Sequence, residues 1–175
     1  TAIRRQRQMC IRDSSYIKKI KKLRKEKLFS ICLAESCTGG MISSKLTSIS
    51  GSSDFFDGSV VSYSNDLKKR LLKVPEITIN KYGAVSHQTA LSMVKGLKKI
   101  SRSEILVSVT GVAGPDGGSS KTPVGCVYFG LGTKIKNKYY YTTIKKIFRE
   151  RTRKRIQEKS TEFILKEIIK NLSKI

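Results

Sequence analysis

The apolar run Leu28-Phe29-Ser30-Ile31-Cys32-Leu33 passes directly into Ala34-Glu35-Ser36-Cys37-Thr38-Gly39-Gly40 and then into Met41-Ile42-Ser43-Ser44-Lys45-Leu46. The first segment reads as a buried strand, the second as a sharp turn of small residues, and the third as the start of a helix. A strand feeding a helix through a tight turn is the unit of layered α/β domains. Such a turn also has chemical potential. Its backbone N–H groups are free and the helix dipole there is positive. That suits an anion, or the oxyanion formed when a hydroxyl attacks an amide. Ser36 is the hydroxyl at this turn. Simple helix capping by Ser36 or Thr38 would account for the same residues without chemistry.

The rest of the chain continues the alternation. Tyr16, Ile17, Ile20 and Leu23 recur at helical spacing among the lysines of residues 16–27, which predicts an amphipathic first helix. A strand over 28–34 follows, then a short helix over 40–48 and a strand over Phe55–Ser62. Asn65-Asp66 opens a helix that reaches Lys73 and ends before Pro75. Ser86 caps a helix to about Ile100, with Ala90, Met93, Val94 and Leu97 on one face. Ile105–Thr110 is almost continuously apolar, which predicts burial on both faces. Residues 111–122 read as a Gly/Pro/Ser loop. Val124–Leu131 and Lys138–Ile147 read as a hairpin turning around Gly132 to Asn137, and 150–173 as the last helix. The expected fold class is α/β: a single three-layer α/β/α domain with a mixed, largely parallel sheet.

The formal charge of +23 raises the question of nucleic acid. The distribution argues against it. Residues 1–28 carry +9 and residues 134–175 carry +10, whereas residues 29–133, which hold the motifs, carry only +4. A nucleic-acid surface would interleave aromatics with its cations. Only Tyr139-Tyr140-Tyr141 beside Lys138 does so, and it fits a strand equally well. A basic surface would still steer a phosphorylated small molecule. No run approaches the ~20 apolar residues of a membrane span, and the basic, polar first residues lack an apolar stretch, so a secretory signal is not expected. Cys10, Cys32, Cys37 and Cys126 lack metal-ligand spacing and the chain has one His, so neither a metal nor a disulfide framework is expected. A cytoplasmic location is the corresponding expectation. Met9-Cys10-Ile11-Arg12-Asp13-Ser14 back-translates to ATG TGT ATA AGA GAC AGN, similar to a transposase-based sequencing adapter. Residues 1–14 are therefore read as translated adapter, and 15–175 as the domain.

Two further stretches join the Ser36 turn. One is Gly58-Ser59-Val60-Val61-Ser62-Tyr63-Ser64-Asn65-Asp66-Leu67-Lys68. The other is Val107-Ser108-Val109-Thr110-Gly111-Val112-Ala113-Gly114-Pro115-Asp116-Gly117-Gly118, followed by Lys121-Thr122-Pro123-Val124-Gly125. Neither Gly-rich segment has the spacing of a P-loop or a dinucleotide fingerprint. Together the segments resemble the CinA C-terminal domain family, the nicotinamide-nucleotide amidohydrolases. That pattern runs AES-x-TGG, YSN-x-x-K, GAVS, VTG-x-AGP-x-GG and KPVG. Its counterparts here are Ala34–Gly40, Tyr63–Lys68, Gly83–Ser86, Val109–Gly118 and Thr122–Gly125.

The resemblance implies deamidation of nicotinamide mononucleotide to nicotinate mononucleotide and ammonia, with no cofactor. It implies Ser36, Tyr63 and Lys68 as the catalytic group. It points to Glu35, Thr38, Gly39, Gly40, Asn65, Thr110, Gly111 and Gly114 as substrate-binding residues. It also implies the stand-alone form of the family, which is associated with homodimers. The alternative is a non-catalytic nucleotide-binding relative linked to competence or DNA damage. A lysine activates a serine only if its pKa is depressed, and burial or the neighbouring Lys69 and Arg70 would do this. Tyr63 could relay the proton or position the amide. Glu35 reads as a partner for Lys68, a substrate contact, or a structural ion pair. Cys37 is a rival nucleophile with no His beside it, and His87 reads as an exposed helix-start residue. Arg151 follows Phe148, but the Gly usual in that family segment is missing, so Arg151 is not carried over as a phosphate ligand.

Overall fold

A computed structural model describes residues 15–175; residues 1–14, including Cys10 and the whole adapter-like stretch, lie outside the described residues. Helix α1 covers residues 15–26. There follow β1 (Ile31–Glu35), α2 (Met41–Leu46), a 3-10 turn (Ser52–Asp54), β2 (Phe56–Val61), α3 (Asn65–Leu72) and α4 (Glu76–Tyr82). The chain ends with α5 (His87–Leu97), β3 (Ile105–Gly111), β4 (Cys126–Ile135), β5 (Lys138–Ile147) and α6 (Arg153–Leu172).

The strands form one sheet in the order β2-β1-β3-β4-β5. β1 pairs in parallel with both β2 and β3, whereas β3–β4 and β4–β5 are antiparallel. Only β4 runs against the others. The sheet is thus mixed and largely parallel in strand direction, as the sequence predicts.

The period-2 alternation of the strands divides the core in two. Ile31, Leu33, Val107 and Phe129 face Ile17 and Ile20 of α1, Ile42 of α2 and Ile164 and Ile168 of α6. Cys32, Ala34 and Leu106 face Leu72 of α3 and Met93, Val94 and Leu97 of α5. Helices therefore cover both faces of the sheet, giving the three layers. Gly130 permits the close seating of α5, since a Cβ there would lie 2.4 Å from Ser108 Oγ and 2.7 Å from the Ala90 carbonyl. Among the described residues no helix is long and apolar enough to cross a membrane.

Two features depart from the sequence reading. Helix α4 is unpredicted: Glu-Ile-Thr-Ile-Asn-Lys-Tyr is rich in β-branched residues and fully buries none of its side chains. Its sequence signals lie at its ends: Pro75 at the N-cap, Glu76 in the first turn, Lys81 in the last and Gly83 after it. The hairpin turn is shorter than expected. It consists of Lys136 and Asn137, both with positive φ, as a two-residue turn requires. Gly132 sits inside β4, where the Tyr141 ring packs across it.

Candidate active site

In open α/β sheets ligands sit beyond the carboxyl ends of the strands, where neighbouring connections diverge. Here that point lies between β1 and β3. The chain leaves β1 toward β2 on one side and leaves β3 toward β4 on the other. Ser36 follows β1, Tyr63 follows β2, and Thr110 and Gly111 end β3, so the parallel arrangement of three strands brings these motifs to one edge.

The Ser36 turn is built by Glu35. Its carboxylate is fully buried and accepts from Thr38 Oγ1 at 2.7 Å, Gly40 N at 3.0 Å, Ile42 N at 3.2 Å and Ser43 N at 2.8 Å, and from the Ser43 hydroxyl. An anion here satisfies the otherwise orphan N–H groups that open α2. These donors occupy the carboxylate. Glu35 therefore neither pairs with Lys68 nor faces the cavity, and acts instead as the anchor of the turn. Gln157 of α6 fixes the same turn from outside by donating to the Cys37 carbonyl at 2.8 Å. The N–H groups of Cys37 and Thr38 donate to no main-chain carbonyl among the described residues.

Lys68 comes from α3, whose start is fixed by the Ser64 side chain accepting from Leu67 N. It is 2% exposed. Its Nζ lies 3.0 Å from Ser36 Oγ, 2.9 Å from the Ser62 carbonyl and 3.2 Å from the Tyr63 carbonyl. No carboxylate pairs with it among the described residues. Burial without a counter-ion pushes the Lys68 ammonium below the ordinary lysine range. Lys69 and Arg70 do not supply the expected neighbouring charge. Lys69 pairs with Glu76 at 2.8 Å and Arg70 with Asp66 at 3.5 Å.

Tyr63 is 60% exposed, and its hydroxyl accepts from Arg153 Nη1 at 3.2 Å. It does not stand between Ser36 and Lys68, which touch directly. Cys37 is buried, and desolvation pushes its thiol up to about 12, which leaves it protonated and inert at neutral pH.

Ser36, Tyr63, Asn65 and Lys68 line a cavity of about 260 Å³, with Ala84, Val85, the 110–114 segment, Asp116, Gly117 and Arg153 as its remaining walls alongside Cys37. Of the predicted substrate contacts, Asn65, Thr110, Gly111 and Gly114 are thus brought to the cavity. Glu35, Thr38, Gly39 and Gly40 belong to the turn and are not among the lining residues. Thr110 holds a wall in place by donating to the Ala84 carbonyl at 2.8 Å. Gly111 and Gly114 are needed for packing: a Cβ would fall 2.7 Å from the Cys126 carbonyl and 2.5 Å from Val124 Cγ1, respectively. The cation missed from the sequence is Arg153, two residues beyond Arg151. Its signal is Thr152, which caps α6 and makes Arg153 the first helical residue. His87 lies outside the cavity, exposed as expected, with Nδ1 2.8 Å from Thr143 Oγ1. Tyr139 and Tyr141 stack on each other beneath Lys98 and Lys95, and Tyr139 donates to the Ser103 carbonyl.

The CinA C-terminal domain profile matches residues 13–172, which takes in every element that builds the cavity. The chain belongs to the CinA C-terminal domain family. A CinA-like protein of Pseudothermotoga lettingae is 46% identical over 133 residues, covering 74% of this chain and 33% of its own. One from Prochlorococcus marinus (strain MIT 9301) is 49% identical over 138 residues, covering 79% and 31%. The chain thus spans about a third of the length of these relatives. A solved structure of the competence/damage-inducible protein CihA from Agrobacterium tumefaciens is similar at a TM-score of 0.86 and 34% identity, over 91% of this chain and 95% of that one. A CinA superfamily protein from Enterobacter cloacae gives a TM-score of 0.82 at 29% identity, over 91% and 92%. The three-layer CinA fold therefore carries the Ser36 turn and the Lys68 helix in this chain.

Proposed function

We propose that this CinA domain is an amidohydrolase that converts nicotinamide mononucleotide and water to nicotinate mononucleotide and ammonia. The observation that carries the reading is the direct contact of Lys68 Nζ with Ser36 Oγ in a buried, carboxylate-free setting. Deprotonated Lys68 has two N–H bonds for the Ser62 and Tyr63 carbonyls and a lone pair for the Ser36 hydroxyl. As an ammonium Lys68 donates to all three oxygens; loss of one proton keeps the two carbonyl contacts and turns the Ser36 contact into one in which the hydroxyl donates.

In the first step Ser36 Oγ attacks the carboxamide carbon and Lys68 takes its proton. The carbonyl oxygen becomes an oxyanion, for which the Cys37 and Thr38 N–H groups are the nearest uncommitted main-chain donors along the turn. The C–N bond then breaks, and the ammonium of Lys68 returns the proton to the departing nitrogen, which leaves as ammonia. Water attacks the resulting ester, again losing a proton to Lys68. As the ester bond breaks, Lys68 returns that proton to Ser36 Oγ, which releases the carboxylic acid and restores the free Ser36 hydroxyl and the neutral lysine. Arg153 supplies the cation for the substrate's phosphate, with Tyr63 holding its guanidinium at the rim.

Ammonia release from nicotinamide mononucleotide tests the proposal, with nicotinamide riboside as comparison. The expected result is turnover of the nucleotide, weaker turnover of the riboside, and none with Ser36→Ala. Tight nucleotide binding without any ammonia would refute hydrolysis and leave a nucleotide-binding domain.

A further inference from the structure

Lys68 and Arg153 are the cationic side chains of the cavity, and Asp116 is its one carboxylate among the lining residues. Asp116 has no hydrogen bond or ion pair among the described residues. It also lines a wider cleft formed by the 115–124 loop, so it stands where the two spaces meet. Its loop is held in shape. Gly114, at φ 74°, packs against Val124, and Ser119 N donates to the Thr122 carbonyl at 3.0 Å. Asp116 thus lines the cavity from a braced segment, and its carboxylate oxygens are uncommitted among the described residues.

A bare carboxylate repels a phosphate and accepts from hydroxyls. Two adjacent hydroxyls of a ribose offer one donor to each oxygen, and acidic side chains bind ribose hydroxyls in this way in other nucleotide sites. The amide end of a substrate must reach Ser36, and an anionic end is drawn to Arg153. The sugar of a nucleotide lies between those ends. We infer that Asp116 recognises the vicinal diol of the substrate's ribose and makes the site selective for ribosylated amides over deoxyribosylated ones. The inference rests on the amidohydrolase reading for its orientation of the ligand.

Calorimetric binding of nicotinamide mononucleotide and its 2′-deoxyribose counterpart to the full chain carrying Ser36→Ala tests this apart from catalysis. The expected result is a preference of at least about tenfold for the ribose form, matching one charge-assisted hydrogen bond. Adding Asp116→Ala should reduce the preference to about unity by weakening the ribose form about tenfold more than the deoxy form, which loses only its 3′-hydroxyl contact. Asp116 is exposed, so an unchanged melting temperature is expected of that variant. Equal weakening of both ligands would overturn the inference, because the charge would then act on the cationic ring. A persisting preference, or binding of neither ligand, would overturn it as well. Diol-dependent binding without ammonia release from the unsubstituted chain would refute hydrolysis alone.

Discussion

Lys68 Nζ reaches Ser36 Oγ at 3.0 Å across 32 residues of sequence, and nothing acidic neutralises it among the described residues. An ion-paired lysine would be held as a cation and would be a poor base. Here Glu35, the carboxylate next to the nucleophile in sequence, is taken up by the donors of the α2 turn. One residue thereby shapes the nucleophile's turn and stays out of the base's way.

Ser36→Ala is expected to abolish ammonia release with the fold intact, because the hydroxyl is the attacking group. Cys37→Ala should keep most of the activity, since a thiol pushed up to about 12 supplies no thiolate. Parallel rate measurements on both variants decide the matter. Loss in the Cys37 variant with retention in the Ser36 variant would reverse the assignment.

Tyr63→Phe should change kcat by no more than about threefold and act mainly on KM. Its hydroxyl meets Arg153 and not the Ser36–Lys68 pair. A large fall in kcat with unchanged KM would return Tyr63 to the proton path.

Arg153→Ala should raise KM for nicotinamide mononucleotide by about tenfold or more and leave the riboside almost unaffected. Steady-state kinetics on the two substrates separate a phosphate contact from a general loss of structure, which would weaken both alike.

Glu35→Gln is not conservative at this site. The glutamine NH₂ would face N–H donors of Gly40, Ile42 or Ser43, leaving at least one buried group unsatisfied. The cost is about 2 kcal/mol, a fall of roughly 5 °C in melting temperature for a domain of this size. An unchanged thermal transition would show that the carboxylate is dispensable to the turn.

The fold was largely legible because its strands and most helices carry one-sided periodicity, as in Ala90, Met93, Val94 and Leu97 of α5. Helix α4 was not, because none of its side chains is fully buried and only Ile79 packs partway against the core, which leaves no periodic trace. At the site, Ser36 and Lys68 were legible as motif residues and the structure brings them together. The role of Glu35 was hidden: the main-chain donors of Gly40, Ile42 and Ser43 that occupy it have no side-chain signature. Arg153 was hidden by its neighbours, since 149–155 holds four arginines and only the Thr152 cap marks Arg153, which lines the cavity, as the first helical residue.

The pH dependence of kcat/KM for ammonia release, measured alongside Lys68→Arg, tests the central claim most directly. Burial lowers the Lys68 pKa, so the neutral, basic form is gained as pH rises through a value below the ordinary ~10.4 of lysine. Activity should rise with pH to a plateau reached below that value. Lys68→Arg, which keeps the charge but cannot deprotonate, should lose about a hundredfold or more. A flat profile, or an arginine variant that retains most of the rate, would contradict a lysine base acting on Ser36.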